Sequence, residues 1–505
     1  MSHREIMRAL SGLLLGLFVA MLSSTIVTNA LPKILADLHG GESAYTWIVA
    51  STLLAVTAST PLWGKLADLF SKKLLVQISL ISYVAGSMLA GLAQNPAQLI
   101  ACRVIQGLAV GGISALAQVC MAAMISPRER GRYSGYFGMA FALATVGGPL
   151  IGGVIVDTSW LGWRWCFYVC VPLAVVAVVI LQRTLHLPTE RREGVRIDYL
   201  GATLIAASVT LLLVWVTLAG TSYGWLSWQT VAMVGGALVL GVLAVRTEQR
   251  AAEPIVPLRM FRHRTVVLAT IASVMVGVGM YGATMFLSQY FQLARGKSPI
   301  ASGFATTPLV LGLAVASYAS GKLITRTGRW KAVLMAGAAS LTAGFALLGV
   351  LRADTSYWIA AVAMAVAGVG VGTVMQNLVL AVQNTVPAGE LGIASSMATF
   401  FRTMGGAIGV SALGAVLAAR VSHDLGGAAG TGGAIPDLST LPAAIRPVVE
   451  AAFGRGIGEV FLWCVPFALA ALISIWLIRE VPLKTESGLE RMAAAPRVTA
   501  EDVAS

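Results

Sequence analysis

The sequence predicts an all-α polytopic membrane protein of fourteen transmembrane helices, built as two six-helix bundles with a two-helix insert. Three observations predict it. The chain is 57% hydrophobic and only 11% charged, with a mean hydropathy of +0.81, whereas roughly a quarter of a soluble domain's residues are charged. Apolar runs of about 20 residues, enough to cross about 30 Å of hydrocarbon at 1.5 Å per residue, recur along almost the whole length. Two stretches also repeat at one offset: GKLADLFSKK begins at Gly64 and GKLITRTGRWK at Gly321, 257 residues on, while GGPLIGG at Gly147 and GGAIG at Gly405 lie 258 apart.

Taken in order, the fourteen predicted spans cover 10–30, 46–63, 74–94, 99–124, 133–156, 163–182, 198–218, 229–245, 265–287, 300–321, 332–351, 356–380, 393–418 and 459–478. The first follows only Arg4 and Arg8 and lacks a small-residue cleavage site before Asp37 and Glu42, so it reads as a retained helix rather than a signal peptide. Six spans with their loops fill only about 200 residues of the repeat offset at about 20 apolar residues per span plus connections. Spans 7 and 8 supply the remainder. The expected organisation is a first bundle over 1–185, an insert over 186–260, a second bundle over 261–480 with an external loop at 419–458, and a tail over 481–505. The external loop contains GGAAGTGGAIPD, too glycine-rich to pack, followed by a more helical stretch from Ala443 to Phe453; the polar tail is expected to be disordered.

The formal charge of +13 does not mark a nucleic-acid partner. Of the 35 Lys and Arg, 25 fall on the face that holds both termini, 8 on the opposite face, and Arg103 and Arg402 inside spans. By the positive-inside rule both termini are cytoplasmic in a multi-pass protein of the cell membrane, and the excess charge meets the head groups of the lipid bilayer. Cys102, Cys120, Cys166, Cys170 and Cys464 all lie in or beside spans and read as small buried hydrophobes, with no disulfide framework or metal spacing. The GKS at Gly296–Ser298 lacks the upstream glycine of a phosphate-binding loop. No nucleophile, base and acid come together, so neither an enzyme nor a cofactor is expected.

Several stretches resemble the major facilitator superfamily, and within it the fourteen-span drug:proton antiporter family. GKLADLFSKK is similar to the superfamily's loop motif, and LIACRVIQG (Leu99 to Gly107) to its span-4 motif. ATVGGPLIGG (Ala144 to Gly153) is similar to the span-5 motif associated with antiporters. WRWCFYVCVP (Trp163 to Pro172) and YFQLARGKSPIASG (Tyr290 to Gly303) resemble the start of span 6 and the loop after span 9 of the fourteen-span family. Three departures stand out: Ser23 occupies the usual aspartate position of span 1, Leu69 and Ser71 replace a basic residue and a glycine of the loop motif, and Cys170 replaces the span-6 asparagine.

The resemblance implies a secondary exporter of amphipathic small molecules, working by alternating access in exchange for protons. It implies that Asp68, in the loop that opens at Gly64 and carries Lys72, docks onto the N-terminus of a second-half helix and onto Arg130 or Arg132, latching the cytoplasmic gate; a solvated charge balancing nearby lysines is the plain alternative. Gly148, Pro149, Gly152 and Gly153 have a direct mechanical reading: the proline removes a helix hydrogen bond and bends span 5, and the glycines let a facing backbone approach. A bulky residue at Gly152 is expected to block movement. By carry-over of helix positions, spans 1, 4, 9 and 12 line the cavity. That nominates Ser23, Thr25 and Asn29, Arg103 and Gln106, Tyr281 and Met285, and Gln376 and Asn377, any of which can instead be packing.

Coupling is the open point. None of the 22 acidic residues falls in the middle of a span, although a proton-coupled carrier needs a group that titrates with alternating access. Arg103 stays protonated, which leaves Asp157 and Glu459 at span ends, or a weakly basic substrate. The missing carboxylate also keeps a second reading in view, uptake or facilitated transport of a metabolite or lipid-like molecule. The stretch MLSSTIVTNALP, Met21 to Pro32, concentrates the question: it reads as helix glue, as a neutral polar wall of the substrate site, or as a coupling site that has lost its acid. Arg402, by contrast, matches no equally specific motif and is placed near the cytoplasmic end of span 13, where snorkelling accounts for it at least as well as a role in the cavity.

Overall fold

A computed structural model describes residues 3–39, 42–158, 160–187, 198–219, 223–251, 253–425 and 446–493. Fourteen of its helices are long and apolar enough to cross a membrane. The first six crossings are α1 (His3–Asp37), α2 (Glu42–Leu69), α3 (Lys72–Gly91), α4 (Pro96–Met124), α5 (Pro127–Asp157), and the short α6 (Trp165–Tyr168) running into α7 (Cys170–Thr184). Local sequence sets their ends. Asn95 accepts from Gln98 N–H at 2.9 Å, with Pro96 at the first helical position where no N–H is needed. Pro149 does not interrupt α5, which stays one continuous helix.

The next two crossings, α8 (Tyr199–Leu218) and α9 (Trp228–Arg250), are followed by α10 (Arg264–Gln289), the short α11 (Pro299–Ala305), α12 (Thr307–Thr327), α13 (Trp330–Leu348), α14 (Tyr357–Thr385), α15 (Leu391–Asp424), α16 (Arg446–Leu477) and a terminal α17 (Gly488–Ala493). Among the described residues there is no β-strand, only one isolated bridge between Ala219 and Tyr223.

The buried apolar side chains divide as the repeat predicts. One large cluster runs from Ile6 to Leu185, the other from Met260 to Leu483 with Ala122 joined to it. No fully buried member of either comes from the α8–α9 pair, although Val209 of α8 packs against the second. Ser208 Oγ donates to the Ala237 carbonyl at 2.7 Å and Trp215 Nε1 to Thr230 Oγ1 at 3.1 Å, which holds the pair together. Leu213 then buries against Ala50 and Leu54 of α2, with Met404, Ala407 and Ile408 of α15 alongside. The insert thus lies over the seam where α2 of the first bundle meets α15 of the second. A second seam joins α5 to α12, where Ala142 packs with Val310 and Ala314.

Two expectations are corrected. Helix occupies 419–424 and 446–458 of the loop expected at 419–458, and residues 426–445, with the whole of GGAAGTGGAIPD, lie outside the described residues. Inside α16, Gly454 and Gly458 are close-approach positions: a Cβ at Gly454 would stand 2.6 Å from Ala353 N, and one at Gly458 2.7 Å from the Leu351 carbonyl.

The tail is the second correction, since 479–493 is ordered against both bundles; residues 494–505 lie outside the described residues. Trp330 Nε1 donates to the Val481 carbonyl at 2.8 Å and Asn384 Nδ2 to the Pro482 carbonyl at 3.1 Å, both in the second bundle. Arg128 N–H of the first bundle donates to the Lys484 carbonyl at 3.2 Å. Deleting the chain after Arg479 removes these bonds together, each contributing about 1 kcal/mol. A cysteine probe on this face is expected to label severalfold faster in the truncated protein; unchanged labelling would show that the strap restrains nothing.

Candidate functional site

Polar side chains in an otherwise apolar bundle gather at three levels, beginning at the face that carries both ends of the described chain. There α2 ends as α15 begins, and Asp68 lies across the junction. Gly392 N–H donates to Asp68 Oδ1 at 2.7 Å and Ile393 N–H to Oδ2 at 2.9 Å. These are among the first N–H groups of α15, which have no partner within their own helix, and the carboxylate meets the positive end of the helix dipole. The approach depends on missing side chains, because a Cβ at Gly64 would collide with Ser396 and sit 2.8 Å from the Gly392 carbonyl. Beside it, Lys65 Nζ pairs with Glu253 Oε2 at 2.6 Å, tying α2 to the chain after α9. Lys72 caps the field from the first turn of α3.

Arg130 does not join Asp68. Its guanidinium is buried and forked: Nη2 donates to the carbonyls of Ala122 at 3.0 Å and Ile125 at 2.9 Å, and Nη1 donates to Gln383 Oε1 of α14. The α4–α5 corner is thereby fastened to the second bundle, while Arg132 is exposed. The latch expected from the loop motif therefore has its helix-terminus half and lacks its arginine half. One turn along, α5 and α12 touch backbone to backbone. A Cβ on either Gly131 or Gly321 would overlap the other's carbonyl oxygen.

The second level lies deeper between the bundles. Gln118 Nε2 of α4 donates to Gln376 Oε1 of α14 at 2.8 Å across the divide. Asn377 turns toward α12, donating to Ser320 Oγ at 3.2 Å and to the Thr373 carbonyl at 2.7 Å. On α10, Met285 is exposed and Tyr281 is half-buried beside Gly406 and in the field of Arg402. Arg402 is buried 11 residues into α15, which overturns the snorkelling expectation.

The third level belongs to the first bundle alone. Arg103 Nη1 donates to Gln106 Oε1 at 3.0 Å, and Gln106 Nε2 to Ser87 Oγ of α3 at 2.9 Å. Ser23 of α1 and Tyr83 of α3 complete this cluster, and all five side chains are buried. Arg103 is thus held by Gln106 of its own helix and Gln106 reaches on to α3, all inside the first bundle. Thr25 likewise faces a helix rather than a wall: its hydroxyl donates to the Leu22 carbonyl at 2.8 Å and reaches the Ala144 carbonyl of α5 at 3.1 Å.

The span-5 glycines lie against that contact. A Cβ at Gly148 would overlap Thr25 Oγ1, one at Gly152 would stand 3.1 Å from the Ile26 carbonyl, and one at Gly153 2.9 Å from Ile300 of α11. Gly148, rather than the Gly152 singled out from sequence, is the tightest of the three. Pro149 packs beside Gly303. Replacing Thr25 by Val keeps the shape and deletes the inter-helix bond, with an expected stability loss of under about 1 kcal/mol. Substrate preference in an efflux panel is expected to stay as in wild type; an altered preference would return Thr25 to the cavity wall.

The side chains of Asn29 and Asp157 lie outside the described residues. Glu459 sits elsewhere, on α16 at the opposite face, where it pairs with Arg420 at 3.3 Å. With Arg352 and Arg455 it lines a cavity of about 420 Å³, separate from the divide between the bundles. Gln118, Gln383, Ser320, Tyr83 and Ser87 were not singled out from the sequence. Their one visible signal is an uncharged polar side chain inside an apolar run.

The description Major Facilitator Superfamily belongs to the family model that matches residues 13–410. A transporter of that type from Mycobacterium tuberculosis, described as uncharacterized, is 37% identical over 481 residues, covering 94% of this chain and 69% of its own. The multidrug transporter protein MdtP of Bacillus subtilis is 35% identical over 434 residues, covering 86% and 78%. Multidrug resistance protein 3 of the same organism is 30% identical over 501 residues, covering 95% and 97%. Among solved structures, the human organic anion transporter MFSD10 shares the fold, with a TM-score of 0.61 at 16% identity over 91% of this chain and 99% of its own.

Proposed function

This chain belongs to the Major Facilitator Superfamily, and from that premise we propose that it exports amphipathic small molecules by alternating access between its two six-helix bundles, in exchange for protons. It is a transporter and a multi-pass membrane protein; the cargo, its direction and the coupling ion are the proposal. The observation that carries the proposal is the seating of the Asp68 carboxylate on the α15 N-terminus. It is a gate contact between bundles, formed by backbone groups that become free when the bundles part. With both termini cytoplasmic, the structure is the state closed toward the cytoplasm, and the cargo binds around Gln118, Gln376, Tyr281 and Met285. Amide, aromatic and thioether groups suit broad recognition. Names of the Bacillus relatives support the drug-export part.

An accumulation panel of cationic and neutral amphipathic dyes, in cells with and without the protein and at two external pH values, tests the reading. Lower accumulation of several dyes with the protein present is expected, and a set of dyes that all accumulate equally would sink it. Proteoliposomes address coupling. Substrate movement driven by an imposed proton gradient supports antiport, whereas equilibration that ignores the gradient favours facilitated transport, the reading that the lack of a mid-span carboxylate keeps alive.

A further inference from the structure

The buried cluster of the first bundle holds a positive charge with no anionic acceptor beside it. Arg103 lies seven residues into α4, and among the described residues no Asp or Glu stands within ion-pair distance of it. Its Nε–H has no partner, nor has Ser23 Oγ or Tyr83 Oη, although each is more than nine-tenths buried. The Tyr83 phenol stands within hydrogen-bonding reach of the Ser23 and Ser87 hydroxyls and the Cys170 thiol, in the field of Arg103, yet neither its oxygen nor that of Ser23 has a partner at full hydrogen-bond geometry.

An inventory of the protons sharpens the point. Gln106 spends its carbonyl on Arg103 and its amide on Ser87, so the Ser87 oxygen is already an acceptor and its proton is left to donate. The guanidinium, the phenol and two hydroxyls therefore all offer protons to one small region that holds a fixed positive charge.

A buried unpaired cation is unfavourable, and buried donors left unmade are unfavourable as well. Water answers only half of this. It accepts two hydrogen bonds but brings two donors of its own and no charge. A small monovalent anion accepts from every donor and neutralises Arg103. We propose that Ser23, Tyr83, Ser87 and Arg103 form a binding site for a halide, chloride in the cell, which acts as the counter-ion that no carboxylate of the described residues supplies. The bound ion then joins α1, α3 and α4 of the first bundle through one charge.

Thermal unfolding of the full chain in detergent, with sodium gluconate replaced by sodium chloride or bromide at constant ionic strength, tests this. In wild type the midpoint is expected to rise saturably with either halide and to ignore sulfate. Ser23→Asp places a fixed carboxylate in the cluster, so its midpoint in gluconate should rise and its halide response should vanish. Tyr83→Phe, a milder change, removes one donor and should shift the half-maximal halide concentration upward severalfold. A wild-type midpoint indifferent to halide, or one raised equally by sulfate, overturns the site, and so does a Tyr83→Phe titration that superimposes on wild type.

Discussion

Asp68→Asn is expected to lower export at least tenfold while the protein still reaches the membrane. The carboxylate accepts from two backbone N–H groups with two equivalent oxygens. Asparagine keeps the shape but offers one oxygen, and its amide hydrogens then face the second donor. The charge on the α15 N-terminus is lost as well. A charge in a partly buried helix-terminus site contributes up to about 2 kcal/mol, and about 1.4 kcal/mol is a factor of ten in an equilibrium. Because the contact exists only while the bundles meet at this face, the loss falls on that state and shifts the population toward the state open there. A single cysteine on the terminal face should label faster in the variant, in step with the fall in dye efflux. Wild-type efflux from correctly inserted Asp68→Asn would sink the latch.

How much of this was readable beforehand follows from the range of each interaction. Crossing a bilayer demands about 20 apolar residues whatever the neighbours are, so fourteen spans and the 64/321 repeat stood in the sequence. Asp68 was readable too, because a lone acid in a lysine-rich loop needs a reason. Its partner was readable only as a class: a helix N-terminus is invisible until the fold brings α15 under α2. Arg130 shows the limit. The family resemblance implied Asp68 as its partner, but the corner at Ala122–Ile125 supplies two carbonyls closer at hand, and Gln383 completes the fork.

Glycines were misjudged for the same reason. Their value lies in what faces them, so Gly152 and Gly148 look alike in sequence, and only the structure sets Thr25 against the latter. Thr25 itself, inside a polar stretch that resembled a substrate wall, is taken up by the Ala144 carbonyl.

Gly321→Ala carries the other large expected effect. The α5 and α12 backbones cross with Gly131 and Gly321 in contact, and a single methyl group on either one falls well under 3.0 Å from the opposing carbonyl. Unstrained carbon–oxygen contacts between backbones lie at about 3.3 Å or more, so the helices must separate along their seam. Neither glycine can yield by turning a side chain, since both sides of the contact are main chain. Overpacking of this kind costs about 1 to 3 kcal/mol, and it applies only while the seam is closed, which biases the equilibrium roughly 5- to 150-fold. Export is expected to fall to near background, with labelling of the terminal face raised as in Asp68→Asn. Gly328→Ala is the matching control. That glycine ends α12 at φ 72° with no atom near its missing Cβ, so a side chain there strains the backbone by about 1 to 2 kcal/mol without touching the seam. It should lower the unfolding midpoint and leave the labelling rate alone. Equal labelling changes in both variants would mean that general destabilisation, not the α5–α12 contact, governs the gate.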